Sequence, residues 1–387
     1  MERVGRSPVV VVGGGIVGSA IAVHLADRGI PLVLVDQDWP GHAASPLSFA
    51  SISAFGKDPL AYYELACGGM ASWARWARRL GGVGYRRTGE VRWMSDPQDG
   101  RDLAERVTRA RQWGYPVVPV DGAGLKRLLP AAVPGPVSFA AHAVSDAQVE
   151  PDQVLAACHA ALRAAGARLL LGEDAHVRLD DAGVRIEVGG EVLRPSTAVL
   201  AAGATSVEVA GAVGLDVPMI ASPGMLAVTT PVPPLTDKVV YAPGGPGPPV
   251  HLRQRPDGTV LLGERSQETV AYDPSLEHAR ALLAQAARFF PTLGRAQLLR
   301  MVVAWRAMPA DRLPIIGPMP GLESLYLAVT PSGVTLAPIL GRLVAAEIAE
   351  KVPERLLEPL RPGRFAERAT RILSEVDAVF RHRPGQA

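Results

Sequence analysis

Two groups of residues have the types and spacing to do chemistry. Near the N-terminus, Gly13, Gly15 and Gly18 stand in GxGxxG spacing directly after the apolar run Val9–Val12, and Asp36 follows 18 positions beyond the last glycine. Glycines so placed permit a tight turn, close approach of a pyrophosphate and close helix–strand packing, while the carboxylate can bond ribose hydroxyls. Dinucleotide binding is the chemistry expected, and an aspartate favours NAD or FAD over NADP. Late in the chain, AWRAMPADRLPIIG sets Arg306 and Asp311 in an otherwise apolar, proline-punctuated run. A guanidinium cannot shed its charge, so Arg306 requires a carboxylate or phosphate for its planar fork of donors. Two partners are open at this point, Asp311 or a substrate.

The elements that must position these residues follow from periodicity. SPVVVVGGGIVGSAIAVHLADRGIPLVLVDQD reads as strand, glycine turn, helix and strand, one βαβ unit, with Gly29 and Pro31 closing the helix. Tyr62, Ala66, Met70, Trp73, Ala77 and Leu80 recur at helical spacing and predict a core-facing helix, with Cys67 beside the stripe. After a strand in GEVRWMSD, the chain reads as irregular and proline-rich until about residue 148. A helix is predicted over residues 151–165, with proline in its first turn and Cys158 on its packed face. There follow a strand, a small antiparallel meander with DDAG and GG turns, and a buried strand ending at Gly203. Strands then alternate with Pro/Gly loops to about residue 263, including a hairpin closed around Pro256, Asp257 and Gly258. A helix over residues 275–290, the strand LYLAVT, the turn PSG and a last helix complete the pattern; the Arg-rich tail reads as a surface helix or as disordered.

Composition bounds the partners. At 387 residues the chain can hold two domains, and 48% apolar with 20% charged residues describes a folded, soluble protein. A formal net charge of +2, with no stretch concentrating basic and aromatic residues, argues against nucleic acid. Cys67 and Cys158 sit in no ligand spacing, so neither a disulfide framework nor a metal site is expected, and a reducing cytoplasm fits best. Three consecutive glycines argue against reading the N-terminal apolar run as a signal helix, and five prolines disqualify the uncharged stretch 217–236 as a membrane span. No transmembrane segment is expected.

Only one dinucleotide fingerprint is present, and GGVG at residues 81–84 neither follows an apolar strand nor opens a helix. At this point the chain resembles, over nearly its whole length, the D-amino-acid oxidase and glycine/sarcosine oxidase-like flavoproteins, the DAO family. GGGIVGSAIAVHLADRG resembles the family's opening pattern, EPDQVLAACHAALRAAGARLLLG its central helix and strand, and AVLAAGATS its second flavin-contacting strand. AWRAMPADRLPIIG and TPSGVTLAPILGRLVAAEI resemble its two C-terminal signatures.

The resemblance implies an α/β fold: a Rossmann-like FAD-binding domain with an inserted, mainly antiparallel β substrate domain. The segments expected are 1–85, 146–217 and 300–387 for FAD, and 86–145 and 218–299 for substrate. It implies that Arg306 pairs with a substrate carboxylate, and that Gly333, Val334 and Thr335 bring a helix N-terminus to the flavin pyrimidine, where a positive dipole end favours reduction. It implies further cofactor contacts at Gly13, Gly15, Ile16, Val17, Gly18, Asp36, Gln37, Ala44, Ser45, Ser48, Val177, Ala202 and Gly203. Ser51 and Ser53 stand where relatives carry tryptophan and asparagine, which suggests room for a bulkier or differently shaped ligand; His42 reads as a loop residue. Strand alternation places His251 and Arg253 on one face, and His251 and Tyr241 are candidate substrate contacts, against the plainer reading of an exposed polar strand face. With no cysteine near Arg306, FAD is expected to be noncovalent. The activity implied is FAD-dependent oxidation of the C–N bond of an amino acid or N-substituted amino acid, by hydride transfer to flavin N5, giving an imine that hydrolyses. The alternatives are a 2-hydroxy acid dehydrogenase using a histidine base, and a non-catalytic FAD-binding subunit.

Overall fold

The computed structural model describes residues 7–37, 44–245, 247–264 and 272–365. His42 and the tail from residue 366 lie outside the described residues. The valine run Val9–Val12 is buried on both faces and forms the middle of a six-stranded sheet. Its parallel neighbours are Leu32–Asp36 and Thr197–Leu200; Arg168–Leu171 extends one side and Leu322–Val329 the other, and Ile315–Met319 closes the edge antiparallel. Val9 and Val11 pack under the helices Ile16–Ala26, Leu60–Arg79, Pro151–Ala164 and Gly333–Glu350. On the opposite face, Val10, Val12, Val33 and Val35 meet a three-stranded antiparallel sheet running from His176 to Leu193. This is a Rossmann-like layering, and the βαβ unit, the meander and the last helix stand where periodicity puts them.

The second body is an eight-stranded sheet. Its strands run in the order Leu298–Trp305, Pro223–Thr229, Val260–Glu264, Val250–Gln254, Val239–Ala242, Glu90–Met94, Phe139–Ala143 and Val117–Val120. All neighbours are antiparallel except Val239–Ala242 beside Glu90–Met94. The amphipathic helix Leu276–Phe289 covers one face, burying Leu282, Ala286 and Phe289 against Leu252 and Leu262.

Two expectations change. The stretch before residue 148 is not irregular: it holds the helices Pro97–Gln112 and Gly122–Leu128 and two strands of the large sheet. Asp96 caps the first helix by accepting from the backbone N–H groups of Gln98 and Asp99, with Pro97 in the first turn. The expected boundary at residue 300 also falls inside a strand, since Leu298–Trp305 pairs continuously with Pro223–Thr229; the chain leaves the large sheet after Trp305. No helix among the described residues is long and apolar enough to cross a membrane.

Candidate active site

One cavity of about 860 Å³ runs between the two sheets. At one end lies the glycine turn. Gly13 has φ +108°, and a Cβ there would stand 2.4 Å from the Ala201 carbonyl oxygen. At Gly18 a Cβ would lie 1.9 Å from the Gly13 oxygen, so this glycine serves helix–strand closeness and does not line the cavity. Gly15 precedes the helix Ile16–Ala26 with no side-chain cap and no acidic residue in the first turn. Ser45 supplies a hydroxyl there, accepting from Ile16 N–H at 3.0 Å, while Ser48 donates to the Ser45 carbonyl at 2.7 Å. Asp36, at the end of the second strand, accepts from Gly14 N–H and lines the cavity together with Gln37 and Ala44.

Ala202 and Gly203 form the adjacent wall, and Ile16 and Val17 the floor. Val177 lies elsewhere: its side chain is buried with Ile186 and Val35 in the core under the small sheet, and Ala175 lines the cavity in its vicinity.

A second helix N-terminus faces the same space. Gly333 approaches the first helix closely, and a Cβ on it would meet Val17 Cγ2 at 3.3 Å. Gly333, Val334 and Thr335 all line the cavity, and their helix has no side-chain N-cap and no acidic residue in its first turn. Such an end presents backbone donors and partial positive charge. Lys57 adds a full charge, donating to Ser332 Oγ at 2.7 Å, and Tyr62 OH bonds the same oxygen at 2.6 Å. Ser53 N–H bonds Thr335 Oγ1 at 3.2 Å, which ties the end of the short strand Ser51–Ile52 to this helix.

The far end belongs to the large sheet. Register places Arg92, Tyr241 and His251 in a transverse row, followed by Gly263. Gly263 is obligatory for the ring beside it, because a Cβ there would stand 2.4 Å from His251 Nε2. Phe49 closes edge-on over His251 with 4.4 Å between centroids, and the Arg92 guanidinium sits 3.8 Å from the Tyr241 centroid. Arg92 is bonded through Nε to Glu90, which is 1% exposed.

Arg306 lines the cavity at the bend after Leu298–Trp305, its backbone N–H bonded to the Ser222 carbonyl at 2.9 Å. Asp311, its rival partner from sequence, is taken up by Arg364 at 2.8 and 3.2 Å and by Leu313 N–H at 3.0 Å. Burial, and then the charges of Arg92 and Arg306, hold His251 down to about 3. Burial, and then Glu90, push Tyr241 up to about 12. Both are therefore uncharged walls at neutral pH.

The reading of His251 and Arg253 as an exposed face is overturned, since both are buried. Arg253 is committed to Glu150 at 3.0 Å and to the Val149 carbonyl at 3.1 Å. Sequence reasoning missed Lys57, Glu90, Arg92 and Asp146. The last holds the Tyr115 hydroxyl, and burial together with Glu90 raises its carboxyl well above the usual range. The E-V-R spacing did carry a signal, because residues two apart in a strand share a face.

The glycine turn, the Asp36 carboxylate and two helix N-termini on one cavity fit a dinucleotide whose far end accepts negative charge. Among the described residues no group of His, Cys, Asp or Glu could hold a metal ion. Comparison with known proteins agrees with the cradle. Glycine oxidase of Geobacillus kaustophilus (strain HTA426) is 25% identical over 359 residues, 89% of this chain and 94% of that protein. Glycine oxidase of Pseudomonas aeruginosa is 29% identical over 369 residues, 89% and 95% of the two chains. The crystal structure of L-proline dehydrogenase from P. horikoshii superposes with TM-score 0.84 at 21% identity, covering 94% of this chain and 98% of that one, which shows the fold. The family model described as DAO, FAD dependent oxidoreductase, matches residues 8–347, and with the cradle it identifies the chain as a member of that family of FAD-dependent oxidoreductases.

Proposed function

We propose that the protein oxidises the C–N bond of a small carboxylate-bearing amine, an amino acid or N-substituted amino acid, with noncovalently held FAD. The observation that carries this reading is the single cavity that joins the glycine turn and Asp36 to a far end lined by Arg92, Tyr241, His251 and Arg306. Relatives named glycine oxidase support the substrate class. Neither cysteine lines the cavity, which supports noncovalent binding.

When bound, FAD supplies the acceptor for a hydride from the substrate carbon. Gly13, Gly15, Ser45 and Asp36 would hold its dinucleotide, and Gly333, Val334 and Thr335 its negatively polarised end. Arg306 clamps the carboxylate and fixes which face of the α-carbon is presented. Phe49, Tyr241 and His251 roof the substrate and exclude water. His251, held near 3, is too weak a base to take a hydroxyl proton, which counts against hydroxy-acid oxidation.

Mixing the anaerobic flavin-loaded protein with panels of amino acids, N-alkyl amino acids and 2-hydroxy acids tests the reading, with amines expected to bleach the flavin. Arg306→Leu should retain FAD and lose roughly a hundredfold or more in kcat/KM, mostly through KM. An unaltered KM in that variant overturns the carboxylate role, and failure of every amine to reduce the flavin overturns the activity.

A further inference from the structure

The cavity wall around Tyr241 and His251 is apolar, and it offers more than a carboxylate needs. Cross-strand partners share a face, so register sets Tyr241, His251, Gly263 and Leu226 in one row on the cavity side of the large sheet. Two residues before Leu226 the same face carries only Gly224, with Ala304 directly opposite on the neighbouring strand, and both line the cavity. A floor of large side chains thus drops to one of small residues beside Leu226.

Phe49 covers this floor. It packs against the cluster that holds Leu226, meets the His251 ring edge-on at 4.4 Å and the Tyr241 ring edge-on at 6.5 Å between centroids. Tyr241 and His251 are stacked at 5.3 Å, and Phe49 and Tyr241 are only half-buried, so aromatic surface is left uncovered inside the cavity. Ser51 and Ser53, on the same segment, also line it, whereas Ile52 and Ala54 are buried in the core. The Ser51 hydroxyl interacts with Tyr241. Serine there leaves open the space beside the two rings that a larger side chain would take.

The cations that line the cavity have contacts away from this wall. Arg92 bonds Glu90, the Arg92 and Arg106 guanidiniums lie 5.0 and 5.5 Å from the Phe55 ring centroid, and Lys57 donates to Ser332. With His251 uncharged, the surface made by Phe49, Leu226, Tyr241 and His251 carries no charge. A flat apolar group gains there from burial and ring contacts, while a charged group would give up its water for little return.

We propose that this wall is a subsite for an aromatic substituent, so that the preferred substrate is an amino acid with an aromatic side chain, and that Phe49 as covering ring and Ser51 as open space determine the choice. The proposal rests on the carboxylate-bearing-amine reading above and deepens it.

Three carboxylates without a C–N bond test it, read by perturbation of the visible flavin spectrum in the flavin-loaded protein. Acetate is the frame of glycine, 3-phenylpropanoate that of phenylalanine, and succinate carries a second charge that the cations of the cavity would favour. The wild type is expected to bind 3-phenylpropanoate roughly tenfold or more tightly than acetate or succinate, as burial of a phenyl ring predicts. Phe49→Ala should weaken 3-phenylpropanoate roughly fivefold more than it weakens acetate, and Ser51→Leu, which fills the space, should show the same selectivity. Acetate or succinate binding as tightly as 3-phenylpropanoate overturns the aromatic subsite and leaves the carboxylate reading standing. Equal losses of acetate and 3-phenylpropanoate in the variants overturn the roles of Phe49 and Ser51. If none of the three ligands binds, the subsite falls, and the amine panel decides separately whether the activity falls with it. Should Phe49→Ala fail to retain FAD, Ser51→Leu and the wild-type series decide.

Discussion

His251 lies beneath Phe49 and beside Tyr241, with two guanidiniums near it and no room on the facing strand for more than Gly263. Its pKa, lowered to about 3, lies below any working pH, so its protonation does not change where the enzyme would be assayed. His251→Gln is expected to lower kcat/KM through lost packing while leaving the shape of the pH–rate profile unchanged between about pH 5 and 9; disappearance of a limb in that range would make the imidazole a base. At this scale the sequence was legible where a residue type has few uses. An arginine among apolar residues demands an anion, and that sufficed to single out Arg306, whereas the pairing of Asp311 with Arg364 was not visible in the sequence. Glu90 and Arg92 escaped because charges two apart in a strand look like a solvent face until a whole sheet is seen to turn that face inward.

Two helices meet at the Gly333 end of the cavity through a missing side chain. Gly69, within Leu60–Arg79, lies against the backbone of the last helix, and a Cβ on it would stand 2.4 Å from the Thr335 carbonyl oxygen. Gly69→Ala is expected to shift the N-terminus of Gly333–Glu350, cost ~1–3 kcal/mol by overpacking and weaken FAD retention, although Gly69 is not among the lining residues. Thermal unfolding and FAD release measure both effects. Gly122→Ala is the control, since a Cβ there meets nothing within 4 Å and stability should hold or rise slightly. Elements with a strong period, such as Leu60–Arg79 and Gly333–Glu350, were readable from apolar spacing alone. Pro97–Gln112 was not, because only Gly100, Leu103, Val107 and Ala110 are buried in a polar helix, although its Asp-Pro start was in plain view.

Across the whole molecule, burial of neutral imidazoles is expected to contribute to acid lability. His24 and His159 are each lowered from the ordinary 6.5 to about 4, first by burial. Between those values the unfolded chain binds protons that the folded chain refuses, so the stability present above 6.5 is lost as pH falls toward 4. Melting temperature is expected to stay level above neutrality and fall through that window, and His159→Asn should reduce the slope; an unchanged slope would assign acid lability to other groups. His159 also bonds Ser19, whose hydroxyl donates to the Gly14 carbonyl, so acid protonation is felt behind the glycine turn. The layered plan was legible from the order of motifs, whereas the exact exit from the large sheet was not, since nothing in LLRMVVAW announces which sheet it joins.

The strand Val9–Val12 is made early but is flanked on one side by Thr197–Leu200, which in turn needs Leu322–Val329. Pairings of such sequence separation form late and slowly. A nascent polypeptide halted on the ribosome ahead of Leu322 thus lacks the strand and helix that complete the cradle, and it should stay without pigment however much flavin nucleotide surrounds it.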